Sequence, residues 1–252
     1  MGLFDKPYSE ITAFLGRNRK AGMVSEFIHT GKTSWPEEKN RNLVMDPDTA
    51  VELGNPKDAA TSFLLWVDDP KKIINRRISV VGPDLPELAG KQVPFGKVVM
   101  AGGRDFDADN AYDRCREMEL LRYDVHLKGY MMRGASQYQR EWSRVSRDAV
   151  SRGFTFQTLG GALMEQFLAL DYVEAAEIIF ITSTREDVLE MKTTGDNVAR
   201  RIAAMNKMAE EMTFDCDTCD YNAVCGDVSE LRAMRERVGR AALKQKETAD
   251  HV

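Results

Sequence analysis

The sequence predicts an α+β fold in which a mixed sheet is packed by helices, with a small Cys-rich helical C-terminal appendage. Two patterns predict it: short apolar runs closed by turn residues early in the chain, and apolar residues at helical spacing later. The 252 residues, 43% of them hydrophobic, suffice for one large domain or two small ones. We divide the chain into an N-terminal arm at 1–44, an α+β domain at 45–212, and a metal-binding segment with a C-terminal helix at 213–252.

The first 44 residues are polar and irregular, and we expect an extended arm there. A short helix is predicted to end near 26–28, and the Trp-Pro pair and charge run within 31–42 indicate a loop. Three strands follow in the next part of the chain, each an apolar run ended by Gly, Pro or Asp. They are predicted at 62–67, 77–81 and 96–101.

The second half changes to a helical period. Apolar residues spaced three or four apart predict a helix at 108–128, and a second helix is predicted at 159–170. A strongly apolar run predicts a strand at 177–182, and a long helix follows at 186–212. The last helix is predicted to begin at Asp227, since Asp227 and Glu230 form a start resembling a capping box.

Charge and hydropathy argue against two classes of protein. The net charge is −5 and the two signs are mixed, which does not suggest a nucleic-acid-binding protein. No apolar run approaches the roughly 20 residues that a membrane-spanning helix needs, and the N-terminus lacks the apolar core of a signal peptide. We therefore expect a cytoplasmic protein.

Three of the four cysteines fall within ten residues, at Cys216, Cys219 and Cys225. Two residues between the first two thiolates allow a tight turn to direct both sulfurs at one metal centre, and the third can close the same site. Soft thiolates suit both zinc and iron–sulfur clusters, so the spacing alone leaves that choice open. The candidates for a fourth ligand are Cys115, one of Asp215, Asp217 and Asp220, a partner chain, or an exogenous molecule.

Several segments of the sequence are distinctive when they are taken in their order along the chain. They are 77–86 with its Gly-Pro-Asp turn, 94–102, Gln137 with 142–145, 149–150 and 153–154, then 159–160, 178–182 and 216–226. In this order they resemble the acetyl-CoA synthase (beta) subunit of the carbon monoxide dehydrogenase/acetyl-CoA synthase complex. The resemblance covers that family's middle domain and the start of its cluster-binding domain, so the chain is similar to a shortened relative.

The resemblance implies a [4Fe–4S] cluster held by Cys216, Cys219 and Cys225, with Cys219 at the position that bridges to nickel in that family. The Cys-Gly-Cys motif that holds nickel there is absent from this sequence. Nickel is therefore not expected from this chain alone, and acetyl-CoA synthesis would need a partner to complete the site. Expected partners are other protein subunits, such as carbon monoxide dehydrogenase-like, corrinoid or electron-transfer proteins.

The resemblance also places Trp142 near a CoA-binding region. With Arg144 and other arginines nearby, Trp142 could stack an adenine while guanidinium groups pair with phosphates. The alternative is a half-buried aromatic residue beside a solvated basic face. For the whole chain, the alternatives to an iron–sulfur subunit are a non-catalytic binding, scaffold or electron-transfer module, and a structural zinc protein.

Overall fold

The computed structural model describes residues 2–39, 45–54, 59–88, 92–107, 110–136 and 140–210, with seven single residues beyond. Those seven are 220, 224, 228, 231, 233, 234 and 237. The helices are α1 Asp5–Lys20, α2 Ala111–Leu120, α3 Arg147–Ser151, α4 Phe156–Leu168 and α5 Arg185–Glu210. The strands are β1 Val24–Ile28, β2 Ala50–Leu53, β3 Ala60–Trp66, β4 Arg77–Val81, β5 Gln92–Val93, β6 Phe95–Gly103, β7 Tyr130–Ser136, β8 Arg140–Ser146 and β9 Val173–Ile181.

The larger sheet has five strands in the order β1-β4-β9-β6-β3. Strand β9 pairs parallel with β4 and antiparallel with β6, and β3 pairs parallel with β6. The sheet is therefore mixed, and the predicted α+β architecture is confirmed. Its inner strands are apolar on both faces because helices cover both, which is why they appear in the sequence as continuous apolar runs.

Helices α4 and α5 cover opposite faces of this sheet. Strand register places Ile78 on one face and Phe63 on the other. Helix α4 packs on Ile78 at Gly160, and α5 packs on Phe63 at Gly195. A Cβ on Gly195 would lie 2.6 Å from the Phe63 ring, so the glycine that lowers helix propensity in α5 is needed for close packing.

A second sheet of four strands has the order β5-β2-β8-β7. Ser62 of β3 and Lys97 of β6 lie on the same face as Ile78 and contact Glu141 of β8, so the second sheet packs against the α4 side of the first. The chain crosses between the two sheets at Gly54, which has φ +68 and where a Cβ would collide with the Glu141 carbonyl oxygen. This sheet was not predicted as a separate layer.

The N-terminal residues differ from the predicted extended arm. Residues 5–20 form α1, which buries Ile11, Phe14 and Leu15 and packs on α5. Residues 24–28 form an edge strand paired with β4, so the helix predicted to end there is wrong. The apolar residues of α1 have helical spacing, but the stretch that shows it is short. Strand β1 is held by pairing with β4 and not by its own composition.

Helix α2 is shorter than predicted. It ends at Leu120, and a 3₁₀ turn over Leu121–Asp124 leads the chain towards β7. The apolar spacing continues to Val125 because the turn residues also pack on the core, not because the helix continues. The predicted helix at 186–212 agrees with α5, except that 211 and 212 lie outside the described residues.

Residues 29–39, which we call the strap, run from the edge of the first sheet to the loop before β7. His29 Nε2 lies 3.0 Å from Glu165 Oε1, and the Thr33 hydroxyl donates to the same oxygen at 2.7 Å. Further along, Trp35 Nε1 donates to the Lys128 carbonyl at 2.8 Å, and its ring packs edge-on against Phe154. The strap is thus attached to both α4 and the second sheet.

The carboxylate at the α4 end of the strap makes stability depend on pH. Burial raises the pKa of Glu165, but donation from Thr33 and His29 outweighs burial, so its pKa lies below the ordinary value. A carboxylate with a lowered pKa stabilises the fold above the pKa of the unfolded chain, and this contribution is lost as pH falls through the folded-state pKa.

We therefore expect Glu165→Gln to lower the free energy of unfolding by about 1 kcal/mol at pH 7. The difference from wild type should shrink as pH falls from about 5 to about 3, because wild type then loses its own carboxylate. Urea unfolding of wild type and Glu165→Gln at about pH 5 and about pH 3 measures how the difference in unfolding free energy changes. Glu174→Gln, at an exposed position in β9, is the control and should show no such trend. If the difference between Glu165→Gln and wild type stays constant with pH, the Glu165 carboxylate is not its cause.

Candidate functional site

The predicted metal ligands Cys216, Cys219 and Cys225 lie outside the described residues. Their neighbours show where this part of the chain attaches. Val224 packs partly buried against the core, and Val228 is fully buried, so the chain is anchored on both sides of Cys225. Residues 231, 233, 234 and 237 are helical, as expected of the last helix.

The C-terminal segment meets the first sheet at a cleft of about 350 Å³. The cleft is formed where the parallel strands β3 and β6 end, which is where open sheets with parallel strands commonly bind ligands. Trp66 and Phe106 stack there with ring centroids 4.5 Å apart. The lining residues are Leu3, Trp66, Asp68, Gly103, Arg104, Asp105, Phe106, Asp107, Ala233, Met234 and Arg237.

The described acidic side chains at this cleft are not grouped to hold a metal ion. Burial, together with neighbouring Asp5, raises the pKa of Asp68. Across the described part of the chain, no group of three or more His, Cys, Asp or Glu side chains is arranged to hold a metal ion. The turns that build the cleft are visible in the sequence, but the cleft is not, because it forms only when the two strand ends and the final helix meet.

Cys115, a candidate fourth ligand, is a core residue. Its side chain is fully buried on α2 and belongs to the hydrophobic core. Burial, with a smaller contribution from nearby Glu119, raises the pKa of the Cys115 thiol far above its ordinary value. A thiol in such surroundings stays protonated and unreactive, and metals bind the thiolate.

Trp142 and Arg144 lie two residues apart on β8, on the same face of the second sheet. Trp142 is half-buried, and its Nε1 is buried without a hydrogen-bond partner among the described residues. The Arg144 guanidinium carbon lies 5.6 Å from the Trp142 ring centroid. The structure therefore brings together the two residues predicted to bind a cofactor.

The guanidinium of Arg144 is nevertheless engaged inside the protein. Arg144 is nearly buried and forms an ion pair with Glu52, directly opposite on β2, with Nε donating to Oε1 at 2.6 Å. Its Nη1 donates to the Met45 carbonyl at 2.6 Å. The positive charge of Arg144 is thus balanced by Glu52, while its guanidinium lies beside the Trp142 ring.

A second arginine at this position was not predicted. Arg133 on β7 is exposed, and its guanidinium carbon lies 4.8 Å from the Trp142 ring centroid. Its position depends on strand pairing between β7 and β8, which spacing along the chain does not show. The indole of Trp142 therefore has two guanidinium groups as neighbours, one balanced by a carboxylate and one exposed.

A buried ion pair holds the strand that carries Trp142. Glu141 and Lys97 are both nearly inaccessible and pair across the two sheets, and Ser62 donates to the same Glu141 oxygen at 3.1 Å. Burial raises the pKa of Glu141, but the Lys97 ammonium outweighs it and the net shift is downwards. Because Glu141 immediately precedes Trp142, this pair positions β8 on the first sheet.

The described residues include no helix with both the length and the apolar character that crossing a membrane requires.

Comparison with known proteins identifies several relatives. The acetyl-CoA decarbonylase/synthase complex subunit beta of Methanopyrus kandleri is 29% identical over 148 residues, covering 57% of this chain and 31% of that protein. Subunit beta 1 of the same complex from Methanosarcina mazei is 27% identical over 208 residues, covering 77% and 43%. The carbon monoxide dehydrogenase/acetyl-CoA synthase subunit alpha of Moorella thermoacetica is 26% identical over 189 residues, covering 71% and 25%.

The chain thus spans less than half of the length of these relatives. The model of the CO dehydrogenase/acetyl-CoA synthase complex beta subunit family matches residues 39–188, which is more than half of the chain. The match includes the second sheet, every strand of the first sheet except β1, the buried ion pairs and Trp142, and it agrees with the order of segments seen in the sequence. The chain therefore belongs to the CO dehydrogenase/acetyl-CoA synthase complex beta subunit family.

Proposed function

We propose that this chain is an iron–sulfur subunit that acts within a multi-subunit complex in anaerobic one-carbon and acyl-CoA metabolism. One observation carries the proposal: a Cys-x-x-Cys pair with a third cysteine six residues later, in a chain of this family. The relatives are named as subunits of complexes, which supports protein partners in general. A carbon monoxide dehydrogenase-like, corrinoid or electron-transfer protein would be the partner.

The donor set fits an iron–sulfur cluster. Cys216, Cys219 and Cys225 offer three soft thiolates, whereas the fourth cysteine, Cys115, lies in the core. Bound there, a [4Fe–4S] cluster would supply electron transfer. A fourth ligand would come from an aspartate of the segment, a partner chain or an exogenous molecule. A reducing compartment such as the cytoplasm suits free thiols of this kind.

The surroundings of Trp142 support CoA as a ligand of the second sheet. An indole is a stacking surface for adenine, and exposed guanidinium groups pair with phosphates. Trp142 is half-buried and has Arg144 as a neighbour, and Arg133 adds an exposed positive charge. CoA is thus the small molecule that these side chains suit.

Metal and sulfide analysis of anaerobically purified protein tests the cluster. We expect a brown protein with about four iron and four sulfide per chain and broad visible absorption, as a single cubane requires. The reduced protein should give an electron paramagnetic resonance signal. A colourless protein that holds about one zinc per chain would instead establish the structural zinc site.

A non-catalytic binding or electron-transfer module is the second candidate. The sequence contains four cysteines and no Cys-Gly-Cys, so it lacks the thiolates that would hold nickel in a square-planar site. Incubation of the isolated chain with carbon monoxide, a methyl donor and CoA tests this candidate, for which no acetyl-CoA is expected. Acetyl-CoA formation would exclude this candidate.

A further inference from the structure

A small cavity lies beside the ion pair that joins the two sheets. Its volume is about 20 Å³, and it is enclosed by the first sheet, α4 and the end of α2. The apolar part of its lining comes from β3, β6, α2 and α4, and the polar part is Ser62, Lys97, Glu119 and Arg122. A water molecule needs about 10–15 Å³ of such space, so the cavity has room for one.

The ammonium of Lys97 has more donors than the surrounding protein uses. The side chain is 5% exposed, and an ammonium has three N–H donors and no acceptor. Among the described residues, its hydrogen-bond acceptor is the Glu141 carboxylate. A buried donor that lacks an acceptor costs free energy. The remaining donors of Lys97 therefore need an acceptor in the cavity that this residue lines.

The carboxyl of Glu119 needs a donor in the same cavity. Burial raises the pKa of this carboxyl, and the positive charge of Arg122 opposes the rise without cancelling it. Arg122 Nη2 lies 3.8 Å from Glu119 Oε2, which is beyond hydrogen-bond range. Arg122 Nε donates instead to the Glu119 carbonyl oxygen at 2.8 Å. A donor in the cavity would hydrogen-bond to the carboxylate and favour its charged form.

The charges around the cavity balance in pairs. Lys97 pairs with Glu141, and Arg122 pairs with Glu119. A neutral molecule that both donates and accepts therefore suits the cavity better than an anion, which the two carboxylates would repel. Water is such a molecule. It needs two to four polar partners, roughly the number of polar side chains in the lining.

We propose that one ordered water molecule occupies this cavity, accepts a hydrogen bond from the Lys97 ammonium and donates one to the Glu119 carboxylate. The water links the end of α2 to the ion pair that positions β8 on the first sheet. The site is independent of the proposed cluster and of CoA, because none of its residues belongs to either of those sites.

A high-resolution crystal structure tests the site directly. We expect a water oxygen within about 3.2 Å of both Lys97 Nζ and a carboxylate oxygen of Glu119. A second crystal soaked in sodium bromide distinguishes water from an anion, since bromide is identified by its anomalous scattering. The lack of a density peak beside Lys97 Nζ, or a bromide ion at that place, would overturn the proposal.

Val99→Ile measures what the water contributes to stability. Val99 is a buried apolar residue of the lining, so one more methyl group displaces the water and leaves Lys97 donors without an acceptor. The urea midpoint should fall by roughly 0.5 M. The same substitution added to Lys97→Met with Glu141→Leu, which has no ammonium, should leave the midpoint unchanged or raise it, because the methyl group then fills apolar space.

Val98→Ile is the matched control. Val98 is buried on the opposite face of β6, outside the cavity lining, so its variant should keep the water in a crystal structure. An equal fall of the midpoint for Val99→Ile in both backgrounds would show that strain causes the loss, and the bridging role would be wrong. A higher midpoint for Val99→Ile than for wild type would show that the cavity is dry, which also overturns the proposal.

Discussion

Anaerobically purified Cys219→Ser is expected to lose nearly all of the iron and sulfide that the wild type holds. Cys219 is the middle cysteine of the three, so its removal leaves Cys216 and Cys225 without the pair that forms the tight turn. A serine hydroxyl is a hard, protonated group at neutral pH and does not replace a soft thiolate. Iron and sulfide analysis and the visible absorption spectrum measure the loss.

Cys115→Ala is the matched control, because it removes the only cysteine outside the segment. Its thiol is fully buried on α2 and is not available as a thiolate. We expect full iron content and a loss of stability of about 1 kcal/mol from the smaller side chain. Full iron content in Cys219→Ser, or loss of iron in Cys115→Ala, would show that a different set of cysteines holds the cluster.

Lys97→Met is expected to lower the free energy of unfolding by about 3–5 kcal/mol at pH 7, because it leaves a buried carboxylate without its partner. Glu141 is 1% exposed, and among the described residues Lys97 is the cation that pairs with it. Methionine keeps most of the volume of lysine, so packing changes little. Urea unfolding monitored by circular dichroism measures the difference.

The pH dependence of this loss identifies its cause. Without Lys97, burial raises the pKa of Glu141, and the carboxyl takes up a proton more readily than in the unfolded chain. A group whose folded pKa exceeds its unfolded value destabilises the fold when pH rises through that folded pKa. The difference between Lys97→Met and wild type should therefore shrink as pH falls towards about 4.

Two further variants serve as controls. Lys97→Met combined with Glu141→Leu should recover most of the loss, since an apolar pair of similar volume replaces both charges. Arg17→Met removes one partner of an exposed pair, where Arg17 and Glu190 are 57% and 46% exposed, and should cost less than about 1 kcal/mol. A loss below about 1 kcal/mol in Lys97→Met, or no recovery in the double variant, would show that this pair does not hold the sheets together.

The sequence by itself predicted the elements with the strongest apolar patterns. The strand at 77–81 has the same bounds in the structure, and β3, β6, β9, α4 and α5 lie where apolar runs or helical spacing placed them. These elements are buried by helices or strands on two sides, so their composition carries the signal. The family was likewise visible in the order of segments, and the family model confirms it.

The second sheet was decided by tertiary structure. Strand β2 carries Glu52 and β8 carries Arg144, charges that argue against buried strands when each is considered alone. They are accepted there because the strand register places them opposite each other as an ion pair. In the same way β1, with exposed and half-buried residues, is a strand because β4 offers it an edge.

The candidate sites show the same distinction between local sequence and tertiary contacts. The three cysteines at 216, 219 and 225 are a local pattern, because their spacing alone predicts thiolates that converge on one metal centre. The different surroundings of Arg133 and Arg144 depend instead on the pairing of β7 with β8 and of β8 with β2, which joins residues far apart along the chain. Local spacing therefore predicts which residues bind metal, and folding decides that Arg144 beside Trp142 is paired with the Glu52 carboxylate.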